Sequence, residues 1–313
     1  MTHALSQPAP IKRQVSAWQR VRRARWRGQR IDWSAYLFIL PFFVPFLVFT
    51  VGAIGFGSYV SFTEWGIIGD PTWVGLANFR RAFDDPWVPK VWGNTLRYGL
   101  LVVPTTTLVA LAFALFVDAR WRGTTLARAV FYAPNVVSVT VIGLVWVWML
   151  DTEFGLVNQY LGALGLPTVP WLTNPSWSLI GVGLASIWWD AGFSMVIFLA
   201  GLQDIPPTLR EAAQVDGATR FQVLRHVVLP LLRPSFSLVV TLLVIGTLRV
   251  FSQVYVMTNG GPAGASATVI HYVYQVGFTK YDLGYAAALS LMLFATILVV
   301  TVVELRFLRS ERW

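Results

Sequence analysis

Few side chains in this chain have the type and setting that chemistry needs. Two ionisable residues, Asp190 and Arg249, interrupt otherwise apolar stretches at 177–202 and 236–257. A charge facing lipid costs about 2.5–3.5 kcal/mol on insertion scales, so each is expected to face a water-filled path or a partner. The two could pair with each other, line a path and hydrogen-bond a polar solute, or do both. Motifs of catalysis are missing. Only three lysines occur, Lys12, Lys90 and Lys280, and none follows a glycine, so no phosphate-cradling Gly-x-x-x-x-Gly-Lys-Ser/Thr forms. No serine sits in Gly-x-Ser-x-Gly, and His3, His226 and His271 are scattered. Asp84-Asp85 runs straight into Pro86-Trp87-Val88, which makes no acidic metal set. Without cysteine there is no disulfide, thiolate nucleophile or cysteine-ligated metal. No enzyme and no cofactor bound by the chain are expected. Uphill transport would draw on an ion gradient, with Asp190 as the proton carrier, or on a separate ATPase.

The elements that hold these two charges are read from composition. Hydrophobic residues make up 56% of the 313, aromatic 15% and charged only 12%, and mean hydropathy is +0.60, which excludes a water-soluble enzyme and a disordered chain. Stretches 33–63, 98–117, 129–150 and 283–303 hold no charged side chain. Each reaches the roughly 20 residues that a spanning helix needs. Their apolar residues run continuously instead of alternating, which excludes an outer-membrane barrel. Adding the two singly charged stretches predicts an all-α membrane protein of six transmembrane helices, about 36–59, 95–117, 129–150, 177–202, 235–257 and 284–304. The first is too long for a signal-peptide core and lacks a small-residue cleavage site, so it is expected to stay in the protein.

Six spans place both termini on one side. The net charge of +9 is unevenly spread: segments 1–34, 118–128, 203–234 and 305–313 carry 18 basic residues, against 4 in the segments facing the other way. Positive residues gather on the cytoplasmic face, so both termini and the 203–234 loop are expected there, in an inner membrane. The expected organisation is a basic cytoplasmic segment 1–34, a six-helix domain 35–305 and a short tail 306–313. The cluster from Lys12 to Arg30 directly precedes the first apolar run, which suits anionic lipid headgroups and not nucleic acid. In the outer connections, Trp65, Trp73, Trp87, Trp92 and Trp171 suit interfacial belts.

The 203–234 loop has its own periodicity. Pro206-Pro207 can open a helix, apolar Leu209, Ala212 and Ala213 follow, and Gly217 interrupts where a tight turn needs free dihedrals. Phe221, Leu224 and Val228 resume an apolar stripe, and the second helix is expected to stop before Pro230. Glu211 and Arg220 or Arg225 are available for ion pairs. Such a helix-turn-helix either lies on the headgroups or docks a partner. Its residues favour docking: Glu211-Ala212-Ala213, Asp216-Gly217-Ala218 and Leu229-Pro230-Leu231-Leu232 resemble the EAA loop of binding-protein-dependent ABC importer permeases. The resemblance implies that two short helices insert into a cleft of a cytoplasmic ATPase subunit, with Glu211 paired to a basic residue there and Gly217 at the turn. ATP and Mg would be bound by that partner.

The likeness extends from about residue 36 onward. Phe251 to Pro262, with Thr268, and Tyr281-Asp282-Leu283-Gly284-Tyr285 through Ser290 are similar to carbohydrate permeases of the maltose and glycerol-phosphate type. Asn94-Thr95, Arg128 with Pro134, Trp146 before Gly155 and Asn158, and Leu199-Ala200-Gly201-Leu202-Gln203 agree as well. Ser252 stands where relatives often carry an aspartate. The likeness implies the first permease of a heterodimeric pair, two ATP-binding subunits and an extracytoplasmic solute-binding protein. Sugar-contacting positions of the maltose type fall on Ser186, Asp190 and Phe193, and on Gly246, Thr247 and Val250. Trp189 and Phe193 could then stack on apolar sugar faces while Ser186, Asp190 and Thr247 bond hydroxyls. The expected function is a permease subunit passing a sugar or sugar-like solute; the alternative is an ion-coupled secondary transporter using Asp190.

Overall fold

The computed structural model describes residues 33–66, 68–119 and 121–310. The basic cluster from Lys12 to Arg30 lies outside them, as do residues 311–313 of the expected tail. The chain divides into one unit up to Phe56 and a second from Gly57. The first holds α1 (Trp33–Phe46), a π turn at Leu47–Gly52 and the start of α2 (Ala53–Ser61). Pro41 and Pro45 sit within α1, each removing an N–H from the helical ladder just before the widened turn.

The second unit begins with two short antiparallel strands, β1 (Thr63–Glu64) and β2 (Thr72–Trp73), with Thr63 opposite Trp73. Helices follow: α3 (Ala77–Asp84), α4 (Trp87–Asp118), α5 (Thr124–Val136), α6 (Val139–Met149), α7 (Leu156–Ala163) and α8 (Ser178–Asp204). The 203–234 region supplies α9 (Pro207–Val215), α10 (Arg220–Val223), a π turn at Leu224–Val228 and α11 (Leu229–Leu231). Then come α12 (Arg233–Leu248), α13 (Ser252–Met257), α14 (Val269–Tyr274), a π turn at Gln275–Thr279, and α15 (Leu283–Ser310).

Among the described residues, four continuous helices are long and apolar enough to cross a membrane: Leu37–Ser61, Trp87–Asp118, Ser178–Asp204 and Leu283–Arg306. The count reaches six if two bent pairs each form one span, α5 with α6 at 99° and Arg220–Leu231 with α12 at 65°. Three sequence expectations need correcting. The third span, expected as one helix over 129–150, breaks at Val137, which is extended, and at Ser138, which is also outside the helical region. Its freed backbone is taken up from elsewhere, because the Trp189 indole N–H donates to the Val137 carbonyl at 3.3 Å. The fifth, expected over 235–257, ends at Leu248, and Val250 beyond the break accepts a 2.9 Å bond from the Thr268 hydroxyl. In lipid, irregular backbone survives only where protein or water satisfies it in this way. Finally, the helix expected to stop before Pro230 runs on to Leu231. The Leu229 N–H reaches back to the Leu224 carbonyl across the π turn, which places Pro230 in the first turn of a new segment, where its missing N–H costs little.

Helix α8 is the centre of the second unit. Membrane helices gain no hydrophobic driving force from one another and rely on close van der Waals approach at small residues. A Cβ on Gly192 would collide with the Phe131 carbonyl of α5, and one on Gly201 with the Ser235 hydroxyl of α12. At one end, Ala110, Ala114 and Val117 of α4 and Phe198, Leu199 and Leu202 of α8 form a buried cluster with Val223, Val228 and Leu232. That cluster defines a hairpin end of the unit. At the far end, Val88 and Val91 pack with Ala267, Val269, Tyr272 and Tyr285.

Candidate functional site

The hairpin is built by local rules. Pro207 opens α9 at its first turn. The chain reverses at Asp216-Gly217, where Gly217 has φ +85° and the Ala218 N–H bonds the Ala213 carbonyl at 2.9 Å. No atom crowds a Cβ at Gly217, so the dihedral alone demands glycine. Thr219 restarts the helix with a capping box: its hydroxyl accepts from the Gln222 N–H at 3.3 Å, and its own N–H donates to Gln222 Oε1 at 2.8 Å.

These rules split the hairpin into two faces. Glu211, Ala212, Asp216, Gly217 and Pro230 are exposed; Ala213 and Leu229 are half-buried; Val223 and Val228 are buried in the cluster at the ends of α4 and α8. The ion pairs available to Glu211 do not form, since among the described residues Arg220 and Arg225 are not within 4.0 Å of it and all three are exposed. Its carboxylate is left to solvent. Between the two helices lies an open concavity of about 400 Å³ lined by Ala213, Asp216, Ala218, Gln222, Val223 and His226. An acidic residue beside small alanines, on a rigid backing, suits insertion into a cationic groove of another protein.

One residue that sequence reasoning passed over ties the hairpin down. Arg210 Nη1 bonds Asp118 Oδ2 at 2.8 Å, and Nη2 bonds the Leu202 carbonyl at 3.0 Å. Thr219 was also passed over, although Thr219-x-x-Gln222 is a legible capping signature.

The candidate path residues lie deeper, on α8 and α12. Ser186 is fully buried and receives the Tyr98 hydroxyl at 2.6 Å, while its own hydroxyl donates to Val182 at 3.1 Å. Tyr98, on α4, is a partner that no local pattern announces. Asp190 and Phe193 follow one and two turns later on the same face of α8, Asp190 half-buried and Phe193 exposed. Thr247, buried, donates to Val244 at 3.0 Å, and Gly99 of α4 faces its hydroxyl. Arg249 is exposed at the end of α12, and among the described residues Asp190 is not within 4.0 Å of it, so the two do not form an ion pair. Trp189 is turned elsewhere, toward the break between α5 and α6, and the Asn135 amide bonds its carbonyl at 3.5 Å. The structure therefore groups Ser186, Asp190 and Phe193 on one face and places Trp189 in a bracing position.

Far from the hairpin, Asp85 gathers three donors: the Tyr272 hydroxyl at 2.5 Å, the Tyr285 hydroxyl at 2.8 Å and the Trp87 N–H at 2.9 Å. Burial opposes its charge, yet these bonds outweigh it and hold the carboxyl below the usual carboxylate range. Beside it Arg81 pairs with Asp282 at 2.6 Å and lies 4.2 Å above the Tyr285 ring. Among the described residues no group of three metal-ligating side chains occurs.

Comparison with known proteins places this architecture. Residues 106–310 match the family described as "Binding-protein-dependent transport system inner membrane component". The sulfoquinovosyl glycerol transport system permease protein SmoG of Agrobacterium fabrum is 31% identical over 95% of this chain and 97% of its own length. The trehalose/maltose permease MalF of Thermococcus litoralis is 32% identical, covering 88% and 94%. The sn-glycerol-3-phosphate permease UgpA of Salmonella typhimurium is also 32% identical, covering 90% and 96%. In fold, the chain is similar to a crystal structure of a bacterial ABC transporter that imports the acidic polysaccharide alginate, with TM-score 0.80 and 24% identity over 95% of this chain and 99% of that one. With the hairpin, the six apolar segments and these relatives in agreement, the chain belongs to the permease family of binding-protein-dependent ABC importers.

Proposed function

We propose that the chain is one permease of an ATP-driven importer of the inner membrane, that it pairs with a homologous second permease to form a path for a sugar or sugar-like solute, and that the hairpin lies in the cytoplasm. Two ATP-binding subunits hold ATP and Mg and dock on Glu211, Ala212, Asp216 and Gly217. An extracytoplasmic binding protein delivers the solute. The observation that carries this reading is the hairpin itself, an exposed acidic turn backed by a core shared with α4 and α8. Closing of the ATP-bound subunits displaces the hairpin, the permeases open toward the binding protein, and hydrolysis resets them.

Relatives named for sulfoquinovosyl glycerol, trehalose/maltose and sn-glycerol-3-phosphate share polyhydroxylated solutes and differ in anionic groups. Hydroxyl recognition is what Asp190 offers, with Phe193 as an apolar wall, whereas Ser186 and Thr247 are buried with their hydroxyls already bonded within the protein. An assembled complex reconstituted in vesicles with its binding protein tests the reading. ATP-dependent sugar uptake is expected. Glu211→Arg or Gly217→Asp should leave the chain inserted and the uptake lost, with Glu211→Arg also releasing the ATP-binding subunits. Uptake by the chain alone, unchanged by either substitution, would overturn it.

A further inference from the structure

Arg210 and Glu211 are neighbours on α9, about 100° apart around the helix axis, enough to turn one side chain inward and leave the other exposed. Glu211 is turned to solvent. Arg210 is turned into the protein, where one guanidinium joins two membrane helices at their last residues. Asp118 is the final residue of α4, and Leu202 lies in the last turn of α8, whose carbonyls have no partner within their own helix. A cation at such a terminus also meets the negative end of the helix dipole. Guanidinium is a planar fork with several donors, so it can hold both acceptors at once, whereas an ammonium is a single point of charge.

The setting distinguishes this pair from an ordinary surface contact. Its side chains are 29% and 15% exposed, against 56% and 28% for Arg81 and Asp282. Arg210 Nε is buried with no partner, so all of the side chain's bonding passes through Nη1 and Nη2. The rest of the hairpin rests on apolar contacts among Ala213, Val223, Val228 and Leu202. Apolar contacts resist separation but are not directional, and they permit sliding. A forked, charge-assisted bond fixes direction.

We propose that Arg210 is a positioning residue that makes the coupling hairpin move as one body with the ends of α4 and α8, so that displacement at Glu211 reaches the helix carrying Ser186 and Asp190. This rests on the coupling role assigned above. Docking is the task of the exposed face and transmission that of the inward one, so the two should separate by mutation.

The test uses the complete complex in vesicles, with ATP hydrolysis and uptake measured on one preparation. In Arg210→Ala the ATP-binding subunits should still co-purify and hydrolyse ATP, while solute moved per ATP falls by about tenfold, within the range of coupling changes along a packed path. Arg210→Lys should retain an intermediate ratio, and the exchange Arg210→Asp with Asp118→Arg should recover part of it. An unchanged ratio in Arg210→Ala overturns the proposal. So does a loss of uptake and hydrolysis in equal proportion with the complex intact and the exchange without rescue. If the unsubstituted complex lacks ATP-binding subunits or needs no ATP, the coupling reading itself has failed, not the strut alone.

Discussion

The hairpin and the polar face of α8 and α12 employ similar residue types in opposite ways. On the hairpin, Glu211 and Asp216 point outward and the apolar side chains point in, as on any surface helix. On α8, Ser186 is buried and hydrogen-bonded to another helix, and Asp190 is half-buried within an apolar span. The first arrangement costs nothing until a partner arrives. The second bears a continuing desolvation cost, which for Ser186 is offset by its bonds to Tyr98 and Val182. Under the proposed function, polar residues on the hairpin act on affinity for a protein, and Asp190 on α8 acts on what passes through.

Three changes would break or sharpen this contrast. The largest effect is expected from Asp190→Ala: uptake should fall at least about tenfold, the cost of one charge-assisted hydrogen bond, with ATP-binding subunits still attached. If uptake and solute preference stay unchanged, Asp190 does not face the path. Next, Thr219→Ala removes one arm of the capping box at a cost of about 1 kcal/mol. It should loosen the hairpin locally, seen as faster hydrogen exchange over 219–228 with solute preference intact; altered preference would erase the division between the regions.

The smallest effect is expected at the far end, where Asp85 belongs to neither region. Its carboxyl is held below the ordinary 3.8, so the stability from its three donors is fully present above that value and lost as pH falls through the lower, folded value. The unfolding-temperature gap between the wild type and Asp85→Asn should be constant from about pH 5 to 7 and close below the ordinary carboxylate range. A gap that persists in strong acid would mean that the asparagine disturbs packing instead.

Legibility in the sequence followed the reach of each interaction. Helical spans, the turn at Gly217 and the exposed face around Glu211 depend on residues within a few positions of one another, and periodicity exposes them. Breaks at Val137 and after Leu248 were hidden, because Trp189 and Thr268 satisfy the freed carbonyls from 52 and 18 residues away. A run of apolar residues reads the same whether it is straight or bent. The grouping of candidate path residues was legible on α8, where Ser186, Asp190 and Phe193 follow helical spacing. Tyr98 was not, because its bond spans 88 residues.

What the sequence determined alone was the solvent, the number of apolar segments, the family and the turn at Gly217, since each rests on composition or on a contiguous motif. Tertiary structure decided which charges meet. Asp190 and Arg249 carry opposite charges within neighbouring spans, yet each takes its place without the other, while Arg210 joins Asp118 from 92 residues away. Charge attraction acts through distance in space, and only the packing of α4, α8 and the hairpin sets that distance.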